Sequence, residues 1–351
     1  MNQLIGLLKE VVQRGASDLF ITVNLVPMIK VDGVLHALDL YERMTPNDTE
    51  VFARQLFTKE KDYQDFTRNG EIDFSLSLPD VGRFRVNVFR QRGSCAVSLR
   101  RIYNQLPDPA ALGIPPSILS LTDTQKGLIL ITGPTGCGKT TTLATLIDKI
   151  NNERACHVLT LEDPIEYLHS HHKSIINQRE IGSDTRNYSR AMRSALRQSP
   201  DVILIGEMRD LETIAIAMTA AETGRLVLST LHTIGTAKTI DRIIDVFPPN
   251  QQQQIRMQLS TVLQAVVSQQ LIPAIDGGQI PAFEIMMVNS AIRNMIRENK
   301  TPQIDGVIQM NAGQGMVTMD YSLAQLVRRK LITRDDALYF SVNPEALQRY
   351  L

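Results

Sequence analysis

A glycine-rich segment that ends in lysine and threonine carries the clearest chemistry in this sequence. It has the pattern Gly, any four residues, Gly, Lys and Thr over 133–140, which is typical of a phosphate-binding loop. Glycines let backbone N–H groups face phosphate oxygens, and the N-terminus of the following helix adds partial positive charge. We expect Lys139 to reach the β- and γ-phosphates and the Thr140 hydroxyl to bind Mg2+. The sequence therefore predicts a site for ATP or GTP with Mg2+. Its nucleotide-binding residues are expected to be Gly133, Pro134, Thr135, Gly136, Cys137, Gly138, Lys139, Thr140 and Thr141.

Two glutamates that follow apolar segments are candidates for the hydrolysis step. Glu207 comes after the run Val-Ile-Leu-Ile-Gly, and Glu162 ends another apolar run. A carboxylate beside a phosphate loop can hold Mg2+ or its waters, and attack on a γ-phosphate needs a carboxylate to orient or deprotonate water. We predict that Glu162 is catalytic, with Glu207 as its partner and as a ligand of Mg2+, directly or through water. The alternatives are a helix N-cap at Glu207 and a turn set by Asp163 and Pro164.

A histidine closes a third apolar run, where it could hydrogen-bond to the γ-phosphate. This residue is His232, in the sequence Thr-Leu-His-Thr over 230–233. A lone histidine is more often structural, so the sequence leaves both roles open. Three further histidines at 169, 171 and 172 have no carboxylate or cysteine at metal-ligand spacing, which favours a solvated loop over a metal site.

Arginines are concentrated towards the end of the first hundred residues. Arg83 and Arg85 share one face of a predicted strand, and Arg90 lies on the other. One interpretation is that all three act in trans on the triphosphate of a neighbouring subunit. The alternatives are a solvated face or a nucleic-acid patch, although few aromatic residues lie between them, as single-strand binding would need.

The composition is that of a globular protein without a dominant charge. The chain has 351 residues, and its 37 basic residues balance 37 acidic ones, which gives no general attraction to nucleic acid or anionic membranes. Cys95, Cys137 and Cys156 are far apart, so neither a zinc module nor a disulfide framework is indicated. No signal peptide and no run of about 18 apolar residues is found. We expect a soluble, cytoplasmic protein without a membrane span.

The order of predicted elements indicates an α/β protein with two domains. Residues 1–102 are expected to form a small α+β domain, and the proline-rich segment 103–117 a linker. Over 118–351, strands alternate with helices, which predicts a mostly parallel sheet covered on both faces. Its strands are predicted at 127–132, 156–161, 201–205 and 226–231, its helices at 138–151, 188–198, 210–222 and 237–245, and hairpin turns of the first domain at 32–33 and 79–82. A long amphipathic helix is predicted over 250–269, and further helices from about residue 290.

Four segments in this order resemble the secretion-superfamily ATPases and, within them, the PilT-like type IV pilus retraction ATPases. Residues 133–141 resemble the Walker A box, 161–166 the Asp box, 199–210 the Walker B box and 221–233 the His box. Residues 15–18 and 31–33 resemble the PAS-like first domain of that family, so the resemblance covers nearly the whole chain. One departure is Arg225, which stands where the family usually has the first histidine of its His box.

This resemblance implies an architecture, an activity and partners. It implies a RecA-like P-loop ATPase domain, preceded by a PAS-like domain and followed by a helical tail. The implied activity is Mg-dependent ATP hydrolysis by a homo-hexamer that binds nucleotide between subunits and powers pilus retraction and twitching motility. Glu162 and Glu207 would serve hydrolysis, and His232 would face the nucleotide. The implied location is the cytoplasmic side of the inner membrane, at a pilus platform protein, with no nucleic-acid partner.

Residues 291–298 resemble the helix that marks retraction motors rather than assembly motors. Helical spacing places Arg293 and Arg297 on one face and apolar residues on the other. We predict that the apolar face packs on the ATPase domain and that the arginines stay free to contact a partner or another subunit. An ordinary surface helix is the alternative.

Two other functions stay open at this point. The chain could be an accessory or assembly-type secretion ATPase, which would share all the boxes described above. It could also be a RecA-like DNA translocase, which should have a basic pore and show salt-dependent binding. A nucleotide switch without turnover is disfavoured, because Lys139, Glu162 and Glu207 are present together.

Overall fold

A computed structural model describes residues 2–31, 33–102 and 106–351, without the side chains of residues 2 and 3. Asp32, the first residue of the hairpin turn predicted at 32–33, lies outside the described residues, and so do positions 103–105 of the predicted linker. The chain forms two compact units. The first comprises Met1–Gln105 and Pro164–Leu168, and the second comprises Leu106–Asp163 and His169–Leu351.

The first unit is a six-stranded antiparallel sheet with helices. In chain order its elements are α1 (Asn2–Gln13), β1 (Asp18–Ile21), β2 (Met28–Val31), β3 (Val34–Ala37), α2 (Pro46–Leu56), α3 (Glu60–Asn69), β4 (Glu71–Leu78), β5 (Gly82–Gln91) and β6 (Ser94–Ile102). The strand order is β3-β2-β1-β6-β5-β4. Along β5 the residues alternate between buried Phe84, Val86 and Val88 and more exposed Arg83 and Arg85, because successive side chains of a strand point to opposite faces.

The second unit contains the nucleotide loop and a seven-stranded sheet. Its elements are α4 (Pro116–Leu119), β7 (Gly127–Thr132), α5 (Lys139–Glu153), β8 (His157–Glu162), β9 (Ile175–Glu180), α6 (Tyr188–Ala195), β10 (Val202–Ile205), α7 (Leu211–Glu222), β11 (Leu226–Leu231), α8 (Thr236–Asp245), α9 (Pro249–Val262), β12 (Leu263–Pro273), β13 (Gln279–Met287), α10 (Ser290–Arg297), α11 (Ile304–Met310), α12 (Met319–Arg328), α13 (Arg334–Phe340) and α14 (Pro344–Tyr350). The strand order is β13-β12-β7-β11-β10-β8-β9. All neighbouring pairs are parallel except β12 with β13.

Strand β7 shows why these strands are apolar without alternation. Leu128 and Leu130 belong to one hydrophobic cluster, and Ile129 and Ile131 to another. The two sets point to opposite faces of the sheet, so both faces are covered. The α/β class, the mostly parallel sheet and the helical C-terminus are confirmed.

The predicted helix over 250–269 is wrong from residue 263 onwards. Helix α9 ends at Val262, and the chain continues directly into β12, which pairs with β7. The segment 265–267 is Ala-Val-Val, and a short apolar run that is buried on both faces has no periodicity to distinguish a strand from a helix. Elements β3, α3, β9 and β13 were not predicted. The predicted domain bounds stay predictions.

Among the described residues, the helices are all too short or too polar to cross a lipid bilayer.

Candidate nucleotide site

The phosphate-binding loop connects β7 to α5 and is fixed by the strand beside it. Gly133 has φ 141° and Gly138 has φ 89°, values that residues other than glycine rarely adopt. A Cβ atom at residue 133 would lie 2.1 Å from the carbonyl oxygen of Gln269 on β12. Glycine is therefore required at Gly133 both by the backbone conformation and by the neighbouring strand.

Lys139 is the first residue of α5 and turns back under the loop. Its Nζ donates hydrogen bonds to the carbonyl oxygens of Gly133 and Pro134, each at 2.9 Å, and the residue is only 8% exposed. Gly138 caps α5 without a side-chain hydrogen bond, so the N–H groups of the first turn can bind an anion. The ammonium and these N–H groups form the positive side of the site.

Glu207, His232 and the loop form a chain of polar contacts. The Oε1 atom of Glu207 is 3.0 Å from Nε2 of His232, and Nδ1 of His232 is 3.4 Å from the Thr135 hydroxyl. The other carboxylate oxygen accepts from Nε of Arg209 at 2.8 Å, which raises the pKa of the guanidinium. The structure thus brings together three of the predicted residues. Arg209 was not predicted, although it lies two positions after Glu207.

Glu162 lies at the end of the strand next to Glu207. Strands β8 and β10 pair in parallel, with Leu161 opposite Ile205, so both glutamates lie where the strands end, at the same edge of the sheet. The Glu162 carboxylate is buried and accepts hydrogen bonds from the Thr160 hydroxyl at 2.6 Å and from Nε2 of Gln178 at 3.2 Å. The bond from Gln178 joins the carboxylate to β9.

Tyr188 lies close to both glutamates and was not predicted from the sequence. Its hydroxyl oxygen is 2.9 Å from the position that a Cβ would take at Gly206, the residue before Glu207. Burial raises the pKa of this phenol, and the nearby carboxylates of Asp163, Glu162 and Glu207 raise it further. Tyr188 therefore places a neutral phenol beside the acidic residues.

The predicted ligands of Mg2+ have suitable chemistry. Thr140, in the first turn of α5, offers a hydroxyl oxygen, and Glu207 offers a carboxylate; oxygen ligands of this kind are those that Mg2+ prefers. No cluster of three or more His, Cys, Asp or Glu residues that could hold a metal occurs in the described ranges. In the histidine-rich loop, Nδ1 of His171 accepts a hydrogen bond from the Ile176 amide at 3.0 Å, which is a structural role.

Arg225 lies far from the phosphate loop. It precedes β11, whereas His232 follows the same strand, and six strand residues span about 20 Å. Its guanidinium bonds to the carbonyl and hydroxyl oxygens of Thr223, at 3.1 and 2.7 Å. Within one chain Arg225 therefore holds a turn and does not act together with His232.

The arginines of the first unit are arranged on β5 as the alternation predicts. Arg85 is exposed and lies 3.7 Å from Asp73. Arg90, on the other face, lies 3.9 Å from Glu50 and over the ring of Phe66. Arg83 is half-buried. Exposed ion pairs are weak, so Arg85 and Arg90 could exchange them for phosphate.

On α10 the structure corrects the expectation of a free basic face. Arg293 donates to the carbonyl oxygens of Ser260 and Thr261 at 2.7 and 2.8 Å and to Gln264 at 3.1 Å. These groups lie at the end of α9, where carbonyl oxygens lack helical partners, so Arg293 caps that helix. Burial, and next the charge of Arg297, lower its pKa. Arg297 itself is exposed, while Ile292 and Ile296 are fully buried.

Comparison with known proteins gives a consistent result. The profile of the family described as Type II/IV secretion system protein matches residues 2–298. The type IV pilus retraction ATPase PilT of Pseudomonas aeruginosa is 45% identical over 335 residues, which cover 95% of this chain and 96% of that protein. A twitching motility protein of Neisseria gonorrhoeae is 45% identical over 92% of this chain and 86% of its own length. The crystal structure of the pilus retraction motor PilT with bound ADP has a TM-score of 0.93 to this chain, with 47% identity over 98% of both chains.

Proposed function

Since the chain belongs to the Type II/IV secretion system protein family, we propose that it is an ATPase that drives retraction of a type IV pilus and so twitching motility. The observation that carries the proposal is the contact chain from Glu207 through His232 to Thr135 of the phosphate loop. It joins a hydrolytic carboxylate to the place where a γ-phosphate would bind. The similarity to pilus retraction ATPases extends over nearly the whole chain, and it indicates that the hydrolysis drives pilus retraction.

The arrangement supports a direct attack of water on ATP. Loop N–H groups and Lys139 bind the β- and γ-phosphates. Glu162 orients the water and takes its proton as the water oxygen bonds to the γ-phosphorus. The bond from that phosphorus to the bridging oxygen breaks, which leaves ADP and inorganic phosphate. When bound, Mg2+ would neutralise phosphate charge, held by the Thr140 hydroxyl and by Glu207 directly or through water.

His232 can report the presence of the γ-phosphate. Its Nε2 atom contacts Glu207 and its Nδ1 atom lies near Thr135. In the tautomer that donates from Nε2 to Glu207, Nδ1 accepts from the Thr135 hydroxyl, so the Nε2–H group is the one that can turn to a phosphate oxygen. Binding of ATP would therefore shift the imidazole towards the phosphate and release one oxygen of Glu207 for water or Mg2+.

The working form in this proposal is a homo-hexameric ring. Arg83, Arg85 and Arg90 of one subunit would reach the triphosphate on the next subunit and neutralise its charge. The ring would act at the cytoplasmic side of the inner membrane on a pilus platform protein, as the family resemblance implies. The balance of 37 basic and 37 acidic residues supports a protein partner rather than nucleic acid.

ATP turnover by purified protein tests the enzymatic part of the proposal. We expect Lys139→Ala to lower turnover by at least about a hundredfold, because phosphate charge loses its compensating ammonium. Lys149→Ala is the matched control, because Lys149 lies on the same helix but pairs with Glu153. Wild-type turnover by Lys139→Ala would overturn the proposed site.

A further inference from the structure

We propose that Gln269, which lies far from the phosphate loop in sequence, is a positioning residue that holds this loop in its nucleotide-binding shape. The proposal rests on the nucleotide site described above and adds a residue to it. On β12, the preceding residue Ser268 pairs with Thr132, the last residue of β7. At this point β7 turns away into the loop while β12 continues, so Gln269 lies beside the loop.

Gln269 contacts both ends of the loop and the helix that follows. Its backbone oxygen lies 2.1 Å from the position that a Cβ would take at Gly133. Its side-chain Nε2 lies 2.9 Å from the position that a Cβ would take at Gly138. Its Oε1 atom accepts a hydrogen bond of 2.8 Å from the Thr142 hydroxyl in the first turn of α5. A single residue therefore spans the loop from its first glycine to the helix N-terminus.

Burial makes this contact costly to break. Gln269 is 4% exposed and Thr142 is 1% exposed, and a buried polar group that loses its hydrogen bond pays its full desolvation penalty. Any movement of the loop and the first turn of α5 away from β12 would separate the two groups. The pair therefore favours one conformation of the loop before nucleotide arrives.

This role predicts an effect on binding rather than on chemistry. The apparent Kd of a ligand equals its intrinsic Kd divided by the fraction of protein that is in the binding conformation. Glu162 ends β8 and Glu207 follows β10, and the contacts of Gln269 with the loop and Thr142 do not involve either glutamate. Loss of the Gln269 amide should therefore raise the Kd for ADP and the KM for ATP and leave kcat nearly unchanged.

The next residue provides a matched control. Gln270 is also buried on β12, but its Nε2 donates to the carbonyl oxygen of Phe340 in α13, 3.1 Å away. Gln270→Met removes one buried amide hydrogen bond, as Gln269→Met does, and makes the same change in size. A general loss of packing would therefore affect both variants alike, whereas a role in the loop would affect only Gln269→Met.

The experiment measures the Kd of ADP and the kcat and KM of ATP hydrolysis for the full-length chain and five variants: Gln269→Met, Gln270→Met, Thr142→Val, Thr142→Ser and Gln269→Met with Thr142→Val. We expect Gln269→Met and Thr142→Val to raise Kd and KM about tenfold, as loss of one buried hydrogen bond predicts. Their kcat should stay within about twofold, and Gln270→Met and Thr142→Ser, which keeps the hydroxyl, should bind like wild type. The double variant should be no weaker than either single variant, because both remove the same bond.

Three results would overturn the proposal: wild-type affinity for ADP in Gln269→Met, an equal loss of affinity in Gln270→Met, or a fall in kcat at unchanged KM. If Gln269→Met does not fold, wild-type affinity in Thr142→Val overturns it equally. Failure of Lys139→Ala to affect binding would instead contradict the nucleotide site itself, so the two failures can be told apart.

Discussion

In the proposed mechanism, Glu207 is the residue that connects nucleotide binding with hydrolysis most directly. Both of its carboxylate oxygens are engaged, one by His232 and the other by Arg209. A carboxylate held in this way has a fixed position and a negative charge balanced by the guanidinium. The same contacts show how it could respond when ATP changes the partner of His232.

We expect Glu207→Gln and Glu162→Gln to bind ATP but to hydrolyse it at least about a hundredfold more slowly, because the amide keeps the shape and loses the charge that orients water. Glu212→Gln is the control, since Glu212 is exposed and pairs with Arg193. ATP binding and turnover are measured on the same preparations. Retention of most of the turnover by both Glu207→Gln and Glu162→Gln would mean that the water-orienting residue lies elsewhere.

Local patterns were sufficient to predict some of these residues but not others. The phosphate loop and the two glutamates form short motifs whose chemistry is visible in adjacent positions. Gln269 contacts Thr142, which is 127 positions away in the sequence. Tyr188, at the start of α6, lies against Gly206, which follows β10. No local pattern marks such residues, because the sheet topology brings them to the site.

Helix α10 contains two arginines with different environments. Arg293 makes three hydrogen bonds at the end of α9. Arg297 is exposed, and its Nε donates to the Arg293 carbonyl oxygen in the same helix at 3.3 Å. Helical spacing correctly places both on one side of the helix. It could not show that the end of α9, which itself was predicted seven residues too late, needs one of them as a cap.

We therefore expect the two arginine variants of α10 to differ. Arg293→Ala should lower the free energy of unfolding by about 2 kcal/mol, because charged hydrogen bonds to carbonyl oxygens at the end of α9 are lost. Arg297→Ala should change it by less than about 0.5 kcal/mol and, if this arginine contacts a partner, should impair retraction at normal ATP turnover. Thermal unfolding, turnover and retraction are compared. Equal stability of the two variants would contradict the capping role of Arg293, and normal retraction with Arg297→Ala would leave α10 a structural helix.

The buried carboxylate of Glu284 on β13 connects two helices. It accepts hydrogen bonds from the Thr236 amide at 2.5 Å and the Met319 amide at 3.4 Å, the first residues of α8 and α12. Burial raises its pKa, which the bonds from Thr236 partly oppose. Burial also raises the pKa values of Asp305 and Asp320. Protonation of these groups is thus easier in the folded chain than in the unfolded chain.

Linkage gives the sign of the pH effect at Glu284. Its folded pKa lies above the ordinary value of 4.5, so the native state binds more protons than the unfolded state. The stability that Glu284 contributes is therefore present at low pH and is lost as pH rises through the folded pKa. We expect Glu284→Gln to reduce this fall in unfolding free energy, measured with urea from pH 4.5 upwards. Glu298→Gln is the control, because Glu298 is exposed and its pKa is lowered by Lys300. If the unfolding free energy of Glu284→Gln falls with pH as steeply as that of the wild type, Glu284 is not the source of this fall.

The whole molecule is expected to work only as a ring, with each site completed by the neighbouring subunit. The arginines of β5 belong to the first compact unit and the phosphate loop to the second. We expect Arg85→Ala with Arg90→Ala to be as inactive as Lys139→Ala, and a mixture of the two proteins to regain turnover. In mixed rings an intact loop can meet intact arginines of the next subunit.

The control is a second mixture, made of the Lys139→Ala protein and the Glu207→Gln protein. Both changes damage the loop side of the site, so no pair of subunits can restore it. Turnover of the arginine mixture that does not exceed this control would show that the arginines do not act in trans.

Pilus retraction in cells is the most direct test that ATP hydrolysis by this chain powers a motor. Retraction of single pili is measured in a strain that lacks the gene and carries either the wild-type chain or Lys139→Ala, with surface pili counted in each. Pili should be present but immobile in the deletion strain, retract with the wild-type chain and stay immobile with Lys139→Ala at equal protein levels. Normal retraction in the deletion strain, or restored retraction by Lys139→Ala, would contradict the assignment of this chain as the retraction motor.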